Sequence, residues 1–171
     1  MRHLILILFL ITAVSGFSQF DKSISLRTTG NFNVALGGLG VDDAGVGFGL
    51  DASFLSKHRL QAIVETSLDH FFGDKSLYID RITGKDAKTN IYSIKAGPQF
   101  FITRNLALSA TYGPTWYKVR DFDYTRNYGF KYSITGFFGE RKRFIAKVFM
   151  VNIPAQDRKI QYLGFAAGFT L

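Results

Sequence analysis

Residues 44–55 read Ala44-Gly45-Val46-Gly47-Phe48-Gly49-Leu50-Asp51-Ala52-Ser53-Phe54-Leu55. Ala44, Val46, Phe48, Leu50, Ala52 and Phe54 fall on one face of an extended chain, and Gly45, Gly47, Gly49, Asp51 and Ser53 on the other. Successive side chains of a β-strand point to opposite sides, so this is a strand with one greasy and one small or polar face. Wound as a helix, the same residues would scatter both classes around the axis, and the glycines would oppose the helix at every turn.

The period-2 pattern continues on both sides of this stretch. It predicts eight strands, near 22–36, 44–55, 60–72, 90–102, 106–118, 128–138, 143–152 and 160–171. Apolar faces run through Ile24, Leu26, Phe32 and Val34 in the first strand, Tyr92, Ile94, Ala96 and Phe100 in the fourth, and Leu163, Phe165, Ala167 and Phe169 in the last. The opposite faces are rich in Gly, Ser and Thr. They carry Arg27, Asp51, Glu65, Asp69, Lys95, Lys131 and Lys147, four bases against three acids. The seventh strand is apolar on both faces, since Ile145, Phe149 and Val151 oppose Phe144, Ala146, Val148 and Met150. Strands 2–3, 4–5 and 6–7 are joined by tight polar turns. The other links are looser, the longest running from Phe72 to Thr89.

The chain of 171 residues has a formal charge of +8 and no cysteine. Without cysteine there is no disulfide scaffold, thiolate zinc site, cysteine nucleophile or lipoprotein anchor. Its 18 Phe and 8 Tyr are too many for a disordered chain. Ahead of the strands, Arg2 and His3 precede an apolar run, Leu4 to Val14, that is shorter than the roughly 20 residues of a membrane-spanning helix. With small residues at Gly16 and Ser18, residues 1–18 read as a signal peptide cleaved after Ser18. Residues 19–171 then form one exported domain.

An even number of strands with alternating short and long links suits a closed antiparallel up-and-down barrel, which leaves no open edge. Three features place the apolar face against lipid. The polar face is small enough for a narrow bore. Its charges nearly balance, as groups that must pair inside should. Aromatic residues recur toward both strand ends, Phe72, Tyr92, Trp116, Tyr128 and Phe130 at the long-loop end and Phe54, Phe100, Phe138, Phe144 and Phe169 at the other, as in an interfacial girdle. The alternative is a soluble exported, lipocalin-like barrel that binds an apolar ligand.

On this pattern the chain resembles the small eight-stranded outer-membrane β-barrels, the OmpA-like and OmpX-like proteins. The resemblance implies an all-β transmembrane barrel in the outer membrane of a Gram-negative cell envelope, with termini in the periplasm and the looser loops outside. It implies contact with outer-membrane lipid, including lipopolysaccharide. The last strand, with Phe165, Phe169 and the terminal Leu171, resembles the signal read by the barrel-assembly machinery.

Hairpin arithmetic sets Arg27 diagonal to Asp51 and Glu65 opposite Lys95, predicting two lumenal ion pairs that Lys131, Lys147 and Asp69 extend. An eight-stranded interior is just wide enough for its own side chains, so the network is expected to plug the bore rather than conduct as a porin does. Leu77-Tyr78-Ile79 is too apolar for a freely disordered loop tip and is expected to prolong strands 3 and 4 as a ribbon that meets a protein partner. A structural, adhesive or complex-subunit role follows.

An enzyme of the outer leaflet, a lipid A hydrolase, is the chemical alternative, and it needs a nucleophile and base in contact. His70 is the candidate, but Ser67 and Asp69 project to the opposite side, so no dyad is expected. His58 sits in a tight turn. Asp42-Asp43 and Asp121-Phe122-Asp123 read as solvated loop charge rather than a calcium site. No phosphate loop, metal-ligand spacing or cofactor motif occurs. The basic balance suits anionic headgroups rather than nucleic acid.

Overall fold

The computed structural model describes residues 24–37, 44–54, 59–72, 88–119, 124–139, 142–154 and 159–171. The expected leader 1–18, the expected partner contact Leu77, Tyr78 and Ile79, the acidic pairs at 42–43 and 121–123, and His58 lie outside them. Eight strands are present: β1 (Ile24–Gly37), β2 (Ala44–Phe54), β3 (Leu60–Phe71), β4 (Thr89–Phe101), β5 (Leu106–Val119), β6 (Thr125–Phe138), β7 (Phe144–Pro154) and β8 (Lys159–Thr170). They match the periodicity to within three residues. The largest difference is at β6, which begins at Thr125 because Thr125, Arg126 and Asn127 continue the ladder opposite Tyr117, Trp116 and Thr115.

Each strand pairs antiparallel with its neighbour, and β8 returns to β1, so the sheet closes. The closure is staggered. Following paired residues from Leu26 through Ala52, Val64, Ala96, Tyr112, Phe130, Asn152 and Gln161 leads back to β1 at Gly37, eleven positions beyond the start. One of these positions is taken up by a bulge between Ala35 and Gly37. Such a stagger tilts the strands against the barrel axis and sets the width of the bore.

Register decides which side is wet, because a one-residue slip would exchange the faces of a strand. Phe48 is 50 % exposed and Leu50 39 %, whereas Asp51 is 3 % exposed and Glu65 2 %. Oily side chains therefore stand outside and ionic ones inside. A soluble ligand-binding barrel requires the reverse, which removes that alternative.

The glycines of β2 leave space for side chains from its neighbours. A Cβ on Gly45 would lie 2.9 Å from Phe71 Cδ1. One on Gly47 would lie 2.6 Å from Asn31 Nδ2 and press on Asp69 Oδ1. Their absence of side chains lets β1 and β3 fill the bore. Gly47→Leu is accordingly expected to cost about 1–3 kcal/mol through overpacking, seen as a lower denaturant midpoint in phospholipid vesicles. An unchanged midpoint would show that the bore has room to spare.

The interior differs from the small and ionic filling expected of it. Inside the loop end, Phe71, Ile91, Val151, Ile153, Ile160 and Tyr162 pack with Ala35, Phe149 and Ala166. At the turn end, Ala107, Phe137 and Ile145 pack with Phe101. The charges lie between these two apolar stoppers. The doubly apolar β7 is the reason: it turns Ile145, Phe149, Val151 and Ile153 inward on either side of Lys147.

Candidate functional site

The bore is the first candidate. All seven charged residues on the expected inward faces are buried, but they pair differently from the prediction. Arg27 does face Asp51 across β1 and β2, and Glu65 faces Lys95 across β3 and β4. Neither pair forms an ion pair. Asp51 and Glu65 are themselves register partners, and two adjacent carboxylates draw one shared cation between them. That cation is Lys147, which reaches from β7 to donate to Asp51 Oδ2 and, at 2.8 Å, to Glu65 Oε1.

Glu65 is the hub. Lys131 Nζ lies 3.4 Å from its Oε1, and the Thr111 hydroxyl donates to its Oε2 at 2.8 Å. Arg27 turns toward the turn-end stopper, donating to Gln99 Oε1 at 3.1 Å and Ser53 Oγ at 2.8 Å, with its guanidinium 4.9 Å from the Phe137 ring centre. On the other side of the hub, Asp69 accepts from Asn31, Asn33, Ser67 and the Tyr162 hydroxyl at 2.6–3.1 Å. Lys131 lies 4.5 Å from the centre of the Phe149 ring. Lys95 Nζ is buried with no hydrogen-bond partner among the described residues.

Gln99, Ser53, Thr111, Asn31, Asn33 and Tyr162 were missed by reading charge alone. All sit on the inward phase of their strands, so the same periodicity that found the charges marks them too. An uncharged polar residue on that phase was the available signal.

The outer wall is the second candidate. The expected girdle residues Phe54, Phe72, Tyr92, Phe100, Tyr128, Phe138, Phe144 and Phe169 are all exposed on it, and Trp116 shares this phase. Phe130, expected at the rim, belongs instead to an aromatic column that descends β5 and β6. It lies 4.5 Å from Tyr112 and 6.3 Å from Tyr132, centre to centre, with Tyr128 stacked on Tyr112 at 5.7 Å. Phe144 packs on Phe169 at 5.4 Å. Phe165 and Leu171 also face outward.

His70 is separated from the groups that a hydrolase would need. Its Nδ1 is 2.7 Å from Asn90 Oδ1, and its ring meets Phe72 edge-on at 5.4 Å. Asp69 and Ser67 engage each other on the other side of the strand. Among the described residues no cluster of three or more His, Asp or Glu is placed to hold a metal ion.

No protein-family model matches the sequence, and neither does any curated protein. Solved structures do. Neisserial surface protein A aligns over 86 % of this chain and 96 % of its own, at 14 % identity and a TM-score of 0.66. The Yersinia pestis outer membrane protein Ail in a phospholipid bilayer nanodisc aligns over 86 % and 99 %, at 15 % identity and a TM-score of 0.57. The fold is that of the small outer-membrane barrels. The N-terminal barrel domain of Pseudomonas aeruginosa OprF shares it, over 86 % of this chain and 97 % of that one, at 10 % identity and a TM-score of 0.55. In an outer-membrane barrel the wall of exposed Phe, Leu and Tyr is the lipid-facing surface, and the two aromatic rims mark where the bilayer begins and ends.

Proposed function

We propose that this chain is an integral outer-membrane barrel with a sealed bore, serving a structural, adhesive or complex-subunit role through its surface. The pair of apolar stoppers enclosing a cross-lumen ionic network carries this reading. A water-filled passage needs a continuous polar path, and here Phe71, Ile91, Ile153 and Ile160 interrupt it at one end and Phe137 and Ile145 at the other. The network between them braces β2, β3, β6 and β7 across the barrel. Work on a partner or ligand is thereby moved to the outer wall and the loops. Ail, the attachment invasion locus protein, has the same fold and has been crystallised with the heparin analogue sucrose octasulfate, which supports an adhesive use of such a surface.

We read the role as non-enzymatic, and the placement of His70 against Asn90 and Phe72, away from Ser67 and Asp69, supports this. The outward Phe165, Phe169 and Leu171 of β8 are the residues we assign to recognition by the barrel-assembly machinery, and 77–79 the loop segment assigned to a protein partner. The reading is tested by reconstituting the purified protein in planar bilayers. A silent membrane is expected. Stable unitary channels at neutral pH would overturn the sealed bore.

A further inference from the structure

The described residues contain three side-chain carboxylates, Asp51, Glu65 and Asp69, and all three are inside the bore. The outer wall therefore has cations without described acids to neutralise them. Two of these cations stand side by side on the lipid-facing phase of β5 and β6, at the loop end. Arg126 is the register partner of Trp116, and Lys118, two residues further along β5, lies on the diagonal. Diagonal neighbours on one face have their strand positions about 7–8 Å apart, which is within reach of long side chains.

Among the described residues, each cation contacts aromatic rings rather than a carboxylate. The Arg126 guanidinium lies 5.8 Å from the centre of the Trp116 ring and 5.4 Å from that of Tyr128, and its Nη2 donates to the Tyr128 hydroxyl at 2.9 Å. Lys118 Nζ lies 5.6 Å from the centre of the Tyr124 ring, and Tyr124 in turn meets Tyr92 edge-on at 5.6 Å. A ring face orders a cation without cancelling its charge. Both side chains are thus positioned in advance, and Arg126 keeps donors in the planar fork that suits phosphate oxygens. Along the sequence from Lys118 to Arg126, the bases Lys118, Arg120 and Arg126 outnumber the acids Asp121 and Asp123 by three to two.

We infer that Arg126 and Lys118, set in the Tyr92–Trp116–Tyr124–Tyr128 aromatic platform, form a binding site for the phosphate of a phosphorylated lipid headgroup at the loop-end rim. The inference rests on the membrane reading above, because these residues reach a headgroup only if the outer wall is in lipid. The rings would lie at the level of the glycerol or sugar backbone, and the two cations would clamp the phosphate from one side. Binding would be confined to the β5–β6 sector rather than spread around the barrel.

Trp116 is the single tryptophan of the chain, so the site carries its own reporter. The protein is placed in phosphatidylcholine vesicles with brominated chains, which quench a lipid-exposed indole on contact. Unbrominated lipid A is then added with its phosphates intact or enzymatically removed. Two interfacial cations should make the phosphorylated form about tenfold more effective, mole for mole, at displacing brominated lipid and restoring Trp116 emission. In R126Q/K118Q, shown to be folded by its far-UV strand spectrum, the two forms should become equivalent. K142Q/R143Q, at the turn end, should keep the preference. Equal displacement in the native protein, or a preference that persists in R126Q/K118Q, would overturn the site. Absence of quenching by brominated phosphatidylcholine itself would overturn the membrane reading and the site together.

Discussion

Glu65→Ala is expected to lose about 3–5 kcal/mol of folding stability, the cost of stranding buried charges when one partner of an ion pair is removed. Glu65 is 2 % exposed and serves Lys147, Lys131 and Thr111 at once. Its loss leaves four buried lumenal bases against two acids. Lys147 would keep Asp51, but Lys131 would keep only the face of Phe149, beside a Lys95 that already has no hydrogen-bond partner among the described residues. Equilibrium unfolding by guanidinium in phospholipid vesicles, followed by Trp116 emission, measures the loss. Glu65→Leu combined with Lys147→Met should cost less than the two single changes added together, with a coupling of about 0.5–3 kcal/mol. Additive losses would mean that the two side chains do not share a contact.

The second large effect lies on the neighbouring face. Leu50→Arg is expected to destabilise by about 2–4 kcal/mol, because an arginine on the lipid side near the bilayer midplane must be buried in hydrocarbon or bend the membrane to reach water. Leu50 sits in the interior of β2 between Thr28 and Thr66. Leu36→Arg supplies the internal comparison. Leu36 faces outward near the loop end of β1, where headgroups are within reach, and the cost should fall to about 0–1 kcal/mol. Refolding into vesicles from urea, scored by heat-modifiable mobility and by midpoint, separates the two. Equal losses at both positions would contradict the depth assignment.

These two residues show how much was legible in advance. Leu50 is placed by alternation alone, which requires only that successive side chains oppose each other. The same rule located the seven inward charges and every strand. Glu65 was recognised as lumenal, yet its partners were assigned from hairpin neighbours. Its actual partner, Lys147, is 82 residues away and comes from across the bore. Contacts along a chord appear only after the sheet has closed, and closure is a property of the whole circuit. The adjacency of Asp51 and Glu65 could have been read from the short turn between β2 and β3, and with it the need for a bridging cation. Arg126 and Tyr124 were overlooked because the expected start of β6 fell beyond both.

The ladder joining β1 to β8 also governs how the molecule is made. The chain cannot seal its sheet from the front end forward, since the edge that completes β1 belongs to β8, the eighth strand of the barrel in chain order. Until then both β1 and the growing end present raw hydrogen-bonding edges that hydrocarbon does not satisfy. Contacts so distant in sequence form slowly, so the unfinished protein must be kept in solution and shielded. Insertion is therefore expected to be a late, concerted event rather than a hairpin-by-hairpin one.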